Sequence, residues 1–330
     1  MALPLTLLRR IQSGNPEGAW SAIFAHAWEV CSAPLDAGKA KPEVASRDRE
    51  LANADLFLAT AGWDLWASYE GSVPRTSDSL ATWWKDQPGG RAVLILDALS
   101  LREVPWLLQG AKDHGYTMHR AQVTGAELPA DTTPFAKALG FAQRSALEND
   151  GAGANHRLAG ARTAVLDLPW EECIAHLTPD PRWVLWHKWP DHRLHDLGEP
   201  GKGLASLVAE AAERLTSDGF WLLVERLTTG RRLVITSDHG YAASGDFPDT
   251  SDAAQTQHLK DRFKARRWTA DEGPPGPFIP PIDLAMATQH GCYCFVLGRR
   301  KWRTQGGYPT LTHGGLSVLE VAVPFIELSR

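Results

Sequence analysis

From Arg91 onward the chain alternates short apolar runs with amphipathic stretches, and that rhythm constrains the fold more than any other feature. The runs AVLIL, YTMHRAQV, TAVLDL, RWVLWHKW, RLVITS and VAVPFIEL have the length and β-branched or aromatic content of strands. Between them lie stretches of helical spacing: LREVPWLLQGAKDHG, PFAKALG, and the segment 203–230, where Leu204, Leu207, Val208, Ala211 and Leu215 form one stripe and Gly230 a stop. Such alternation predicts an α/β fold, a mostly parallel sheet with helices on both faces. Residues 1–88 read instead as a helical region, with Trp20 to Val30 and RDRELANADLFLATAGWDLWASYEG at near-helical spacing. The domains expected are therefore a helical 1–88 and a sheet-bearing 89–330. Residues 240–291 read as a long polar, Pro-rich excursion, after which CYCFVLG resumes as a strand.

Composition narrows the class. A chain of 330 residues with 43% hydrophobic and 22% charged residues buries a large core. A formal charge of -5 argues against a generally basic nucleic-acid binder, although KDRFKARRW and RRKWR are local basic strips. Cys31, Cys173, Cys292 and Cys294 have no disulfide-framework spacing, which predicts a reducing, cytoplasmic setting. No apolar run nears the roughly 20 residues that span a bilayer, and the first residues lack a signal-peptide hydrophobic region, so no membrane partner is expected.

The chemistry gathers at strand ends. Asp97 closes AVLILD, Asp191 and His195 stand four apart after RWVLWHKW, Asp238 and His239 follow RLVITS, and His313 precedes VAVPFIEL. In open α/β sheets the carboxyl ends of strands are where ligands collect. Oxygen and nitrogen donors without paired thiolates suit zinc, manganese or a similar cation, and the number of groups suggests two metals. Each residue alone could equally be a turn cap or an ordinary histidine; the joint placement favours a metal site.

A nucleophile is offered by ELPADTTPFAKALG, where Thr132 and Thr133 precede Pro134 at a helix start and face the positive end of the helix dipole. That position favours an alkoxide and a bound phosphate alike, and is also that of a helix N-cap. Ser100 in LDALSLRE is a second candidate, again in a cap position.

This order of motifs resembles the alkaline phosphatase superfamily: an early Asp, a Ser or Thr at a helix start, D-x-x-x-H, D-H-G and a late H-G. More narrowly, VLILDAL, LPADTTPFAKALG, ITSDHGY and THGGLSVLEVAVPFIEL are similar to the PglZ domain of bacterial phage-exclusion systems, from about residue 91 onward. The resemblance implies an alkaline-phosphatase-like catalytic domain over 89–330 with an N-terminal helical extension. It implies Asp191, His195 and His313 on one divalent metal, and Asp97, Asp238, His239 and the nucleophile hydroxyl on the other, zinc first, with manganese or magnesium as alternatives. The P-x-x-T spacing from Pro129 selects Thr132, with Thr133 the neighbour. Leu194 stands where the family usually has Gly before the His of D-x-x-x-H.

The implied chemistry is attack of Thr132 on phosphorus to give a phospho-threonine that water then hydrolyses. The sulfatase element C/S-x-P-x-R is absent, so a phosphorus ester is the expected substrate. The two basic strips, with Arg266, Arg267, Arg300 and Trp302 foremost and Trp268 beside them, suggest a diester held by charge and stacking, a nucleotide or nucleic acid. The setting implied is phage defence or signalling, with defence-system proteins as partners. The alternatives are a phosphomonoesterase or phosphomutase of the same superfamily, and a defence-complex scaffold with weak catalysis.

Overall fold

The computed structural model describes residues 3–151, 155–197, 203–270, 273–304 and 309–330. The first part is helical: α1 (Leu5–Ser13), α2 (Pro16–Ser32), α3 (Ala40–Thr60), α4 (Tyr69–Ser72) and α5 (Thr76–Asp86). Helix α2 starts where it does because Pro16 occupies its first turn and Asn15 accepts a hydrogen bond from the Gly18 N–H at 2.8 Å. The alternating part follows as β1 (Arg91–Leu96), α6 (Val104–Asp113), β2 (Thr117–Gly125), α7 (Thr132–Leu139), β3 (Arg162–Val165), α8 (Trp170–His176), β4 (Arg182–His187), α9 (Asp191–Leu197), α10 (Leu204–Leu215), α11 (Asp218–Thr228) and β5 (Arg232–Thr236). Then come α12 (Ala253–Phe263), β6 (Trp268–Thr269), β7 (Asp283–Thr288), β8 (Gly291–Val296), α13 (Val318–Val321) and β9 (Ala322–Ser329).

Six strands form one sheet in the order β2-β9-β5-β1-β4-β3. Strands β3, β4, β1 and β5 are mutually parallel, and β9 runs antiparallel between β5 and β2. Alternation along β1 shows how the sheet is buried on both sides. Ala92, Leu94 and Leu96 join α8, α10 and α11 side chains on one face, whereas Val93 and Ile95 join Leu80, Trp83, Phe135 and Leu139 of α5 and α7 on the other. The architecture is the α/β sandwich that strand-helix alternation predicts.

The helical region is not set apart by a core of its own. Trp20, Leu51, Leu58 and Trp66 share one cluster with Leu101, Val104, Leu297, Val318 and Val323.

One element differs from the sequence expectation. The single helix expected over 203–230 is two, because the Ser217 hydroxyl accepts from the Phe220 N–H at 3.2 Å and starts a new helix. CYCFVLG, expected as a strand, is β8, and it lies at the centre of a separate antiparallel sheet, β6-β8-β7.

Register explains the convergence of functional groups. Leu96 lies opposite His187 and Ile95 opposite Thr236, so the chain leaves β1, β4 and β5 at one end of the sheet. Because β9 is antiparallel, it enters the sheet at that same end, where its Ala322 faces Gly125 at the exit of β2.

Candidate active site

Two groups of metal-ligating type stand at that end among the described residues: Asp97, Asp238 and His239, and Asp191, His239 and His313, each with ligand atoms within 4.8 Å of one another. Asp238 and His239 are fully buried and Asp97 nearly so. Asp238 Oδ1 accepts from the Ala98 N–H at 3.0 Å and the Ser237 hydroxyl at 3.2 Å, leaving Oδ2 without a partner. The first of these bonds uses an unusual backbone, since Ala98 sits in the left-handed region at φ 61°.

His239 Nδ1–H donates to the Gly240 carbonyl at 2.9 Å. A carbonyl only accepts, so Nδ1 carries a proton and Nε2 is turned to the two carboxylates, 3.5 Å from Asp238 Oδ2 and 3.7 Å from Asp97 Oδ1. His313 is arranged alike: Nδ1 is 3.3 Å from the Ala130 carbonyl and Nε2 is 3.6 Å from Asp191 Oδ1. The two imidazoles stack at 4.4 Å. His195 stands one step outward. Its Nε2 is 3.4 Å from Asp191 Oδ2, its ring lies 6.1 Å from that of His313, and its side chain is 70% exposed.

Buried Asp238 Oδ2, His239 Nε2 and Asp191 Oδ1 all lack hydrogen-bond partners, and they belong to the two ligand groups that share His239. Unsatisfied buried acceptors cost about 1–3 kcal/mol each unless something else satisfies them. Three of them, all lone-pair donors with oxygen and imidazole chemistry, fit a divalent cation. The ionisation pattern shows the same stress. Burial, then Asp238 and Asp191, hold Asp97 well above the usual carboxylate range. Burial works against ionised Asp191, but the hydrogen bond from His195 and the nearby His313 prevail and hold it well below that range.

Thr132 opens α7 and its Oγ1 donates to Asp97 Oδ1 at 3.2 Å, whereas Thr133 is exposed. Ser100 is a cap: its hydroxyl and Glu103 form a capping box at the turn before α6, and it is fully buried.

Two members of the basic strips are turned inward. Arg267 is 2% exposed, its Nε bonded to Glu320 at 2.7 Å and its NH2 to the Gly298 carbonyl at 2.8 Å. Trp302 is buried and donates to the Lys264 carbonyl. The expectation that these two bind substrate is therefore corrected: their polar groups are consumed inside the protein. Arg299 likewise pairs with Asp48 and Asp55. Arg300 is half-buried, and Arg266 is exposed.

Several residues escape the sequence reading. Trp186 Nε1 donates to Asp97 Oδ2 at 3.2 Å, and Arg144 Nε is 3.4 Å from the same oxygen while its NH2 reaches Asp167. Neither carries a local sequence signal. Asp131, directly before Thr132, accepts from Trp268 Nε1; its adjacency to the threonine was the one signal that could have found it. Glu320 Oε1 accepts from the Gly315 N–H at 2.8 Å while its backbone carbonyl accepts from the Gly240 N–H at 2.9 Å, so it ties together the loops that carry His313 and His239. Gly240 has to be glycine, since a Cβ there would strike the Leu319 carbonyl.

No protein-family model and no curated protein matches the chain. Among solved structures it is similar to murine ectonucleotide pyrophosphatase/phosphodiesterase 5 in complex with AMP, at TM-score 0.43 and 14% identity over 72% of this chain and 87% of that one. The human counterpart gives TM-score 0.43 and 12% identity over 72% and 87%. Phosphonoacetate hydrolase from Sinorhizobium meliloti 1021 in complex with phosphonoformate gives TM-score 0.37 and 13% identity over 72% and 89%.

Proposed function

We propose that this chain is a metal-dependent phosphoester hydrolase with a threonine nucleophile. The observation that carries the reading is the convergence of three partnerless buried acceptors, Asp238 Oδ2, His239 Nε2 and Asp191 Oδ1, beside a helix-start hydroxyl already bonded to Asp97. Asp97, Asp238 and His239 would hold one cation, and Asp191, His313 and His195 the other. Two divalent cations, zinc first, would supply activation of the hydroxyl and neutralisation of the phosphoryl charge.

The chain does the positioning. Thr132 is the attacking hydroxyl, and its proton has a path to Asp97 Oδ1. Its place at the start of α7 sets the positive end of the helix dipole beneath the developing charge. Attack forms a phospho-threonine with loss of the alcohol, and water hydrolyses it.

Charge selects the ester. The proposed ligands Asp97, Asp191 and Asp238 offset three of the four charges of two doubly charged cations, and the one left over matches a diester, with one negative charge, better than a monoester with two. The inward-facing Arg267 and Trp302 remove part of the support for a long nucleic-acid track; a small diester or nucleotide is the substrate class we favour. The order of motifs shared with PglZ domains supports a phage-defence setting with protein partners. Among the described residues no helix is long and apolar enough to cross a membrane.

Elemental analysis of the purified chain, joined to hydrolysis of bis(4-nitrophenyl) phosphate against 4-nitrophenyl phosphate, tests the reading. Bound zinc or manganese, diester turnover and its loss on chelation are the expected results. A metal-free chain inert towards both esters after zinc or manganese is added would overturn it and leave the scaffold alternative standing.

A further inference from the structure

Asp131 occupies the N-cap position of α7, yet its side chain makes no hydrogen bond to the helix. An aspartate in that position ordinarily accepts from the amide of the second or third helical residue. The third residue here is Pro134, which has no N–H, so the Thr133 amide is the donor in reach. Asp131 Oδ2 accepts instead from Trp268 Nε1 at 3.2 Å. Trp268 is itself fixed on two other sides. Tyr293 meets it edge-on at 5.4 Å, and Gly314, at φ 97°, lies so close under the indole that a Cβ would collide with the ring. A single side chain from the small sheet thus touches both the residue before Thr132 and the residue after His313.

The consequence falls on the start of α7. Neither the Thr132 nor the Thr133 N–H donates to any described residue. Close by, Asp238 Oδ2 and His239 Nε2 are fully buried and unpartnered, and His239 Nε2 lies 3.7 Å from the Asp97 oxygen to which Thr132 donates. Free amides at a helix start favour an anion, and the Asp131 carboxylate is adjacent in the chain.

We propose that Trp268 is a positioning residue: by holding the Asp131 carboxylate away from the start of α7, it keeps the Thr132 and Thr133 amides open for the phosphoryl oxygens of the substrate. The proposal rests on the phosphoesterase reading. Without the indole donor, Asp131 swings onto the Thr133 amide and competes with substrate from within the molecule.

Trp268→Phe is the test, since it keeps a ring against Tyr293 and Gly314 and deletes only the donor. The KM for bis(4-nitrophenyl) phosphate rises about five-fold, the size expected of a side-chain cap acting as competitor, while kcat stays within about two-fold. Inhibition by inorganic phosphate weakens by the same factor, and adding Asp131→Ala to the Trp268→Phe protein restores KM. A crystal structure of Trp268→Phe shows the Asp131 carboxylate about 3 Å from the Thr133 nitrogen. An unmoved Asp131, or a KM rise that Asp131→Ala does not reverse, overturns the proposal and makes Trp268 a packing residue. Should Trp268→Phe fail to fold, wild-type crystals soaked in inorganic phosphate decide: phosphate on the two amides with the Asp131–Trp268 bond intact supports the proposal, and Asp131 on the Thr133 amide overturns it. A wild type that hydrolyses no phosphoester refutes the phosphoesterase reading, whereas the position of Asp131 in the variant crystal still answers whether Trp268 restrains it.

Discussion

His239 has one lone pair to give, because its Nδ1–H is spent on Gly240. Both ligand groups include this residue, yet its Nε2 can serve a single cation. Its two nearest carboxylates, on Asp97 and Asp238, assign it to that side, and Asp191, His313 and the outward His195 remain for the other. Calorimetric titration of the metal-free protein with zinc is therefore expected to show two unequal steps, and Asp238→Ala to remove one of them together with turnover. Circular dichroism of that variant should remain native, with a stability loss of about 1–3 kcal/mol for the orphaned Ala98 N–H. Thr132→Ala should lose diester hydrolysis by several orders of magnitude, and exposed Thr133→Ala should lose little; the reverse order in an initial-rate assay would move the nucleophile by one residue. Strand-end position was enough to single out Asp97, Asp191, Asp238, His239 and His313, because period and punctuation show where a strand stops. Charge in sequence does not say which way a side chain turns. Arg267 and Trp302 sit in strips that look solvent-facing, and both are turned inward by partners far along the chain, Glu320 and the Lys264 carbonyl.

The link between β4 and α9 carries a pH sensor of its own. His187 Nε2–H donates to the Leu168 carbonyl at 2.9 Å while Nδ1 accepts from the Trp189 N–H at 3.0 Å, so the ring is held neutral in one tautomer. Burial first, then the positive charge of nearby arginines, bring its pKa down from 6.5 to about 4, against the pull of the Leu168 bond. The folded value lies below the unfolded one, so as pH falls the unfolded chain takes up the proton first. Stability should be level above about pH 6.5 and decline by about 3 kcal/mol towards pH 4 from this group alone. Urea unfolding of wild type and His187→Gln across that range checks it; parallel curves would refute the assignment. The main-sheet strands could be read from sequence because they are long, apolar and well punctuated. In the small sheet only β8 could, from CYCFVLG; β6 and β7 are two and six residues long and half-exposed, with proline-rich chain between them. A two-residue break between α10 and α11 was hidden by an apolar stripe that continues across it.

Across the whole molecule the helical region and the site loops are joined by buried charge. Arg102 and Arg299 pair with Asp48 of α3, Arg299 also with Asp55 at 2.6 Å, and Asp55 Oδ1 accepts from the Val318 N–H at 2.7 Å at the start of α13. Arg299→Ala would leave two buried carboxylates facing each other with Arg102 alone to compensate, and about 3 kcal/mol of stability should be lost. Denaturant midpoints measure that loss, and a midpoint within about 0.5 kcal/mol of wild type would show that the network carries little. These partners are 244, 251 and 263 residues apart. A ribosome makes α3 well before Arg299 and Val318, so through that interval Asp48 has Arg102 alone as counter-charge and Asp55 has none. The nascent chain can lay down its helices as it emerges, but the loops around His239 and His313 take their final form when the two distant segments meet. The setting of these loops is thus completed only once Val318 has been made.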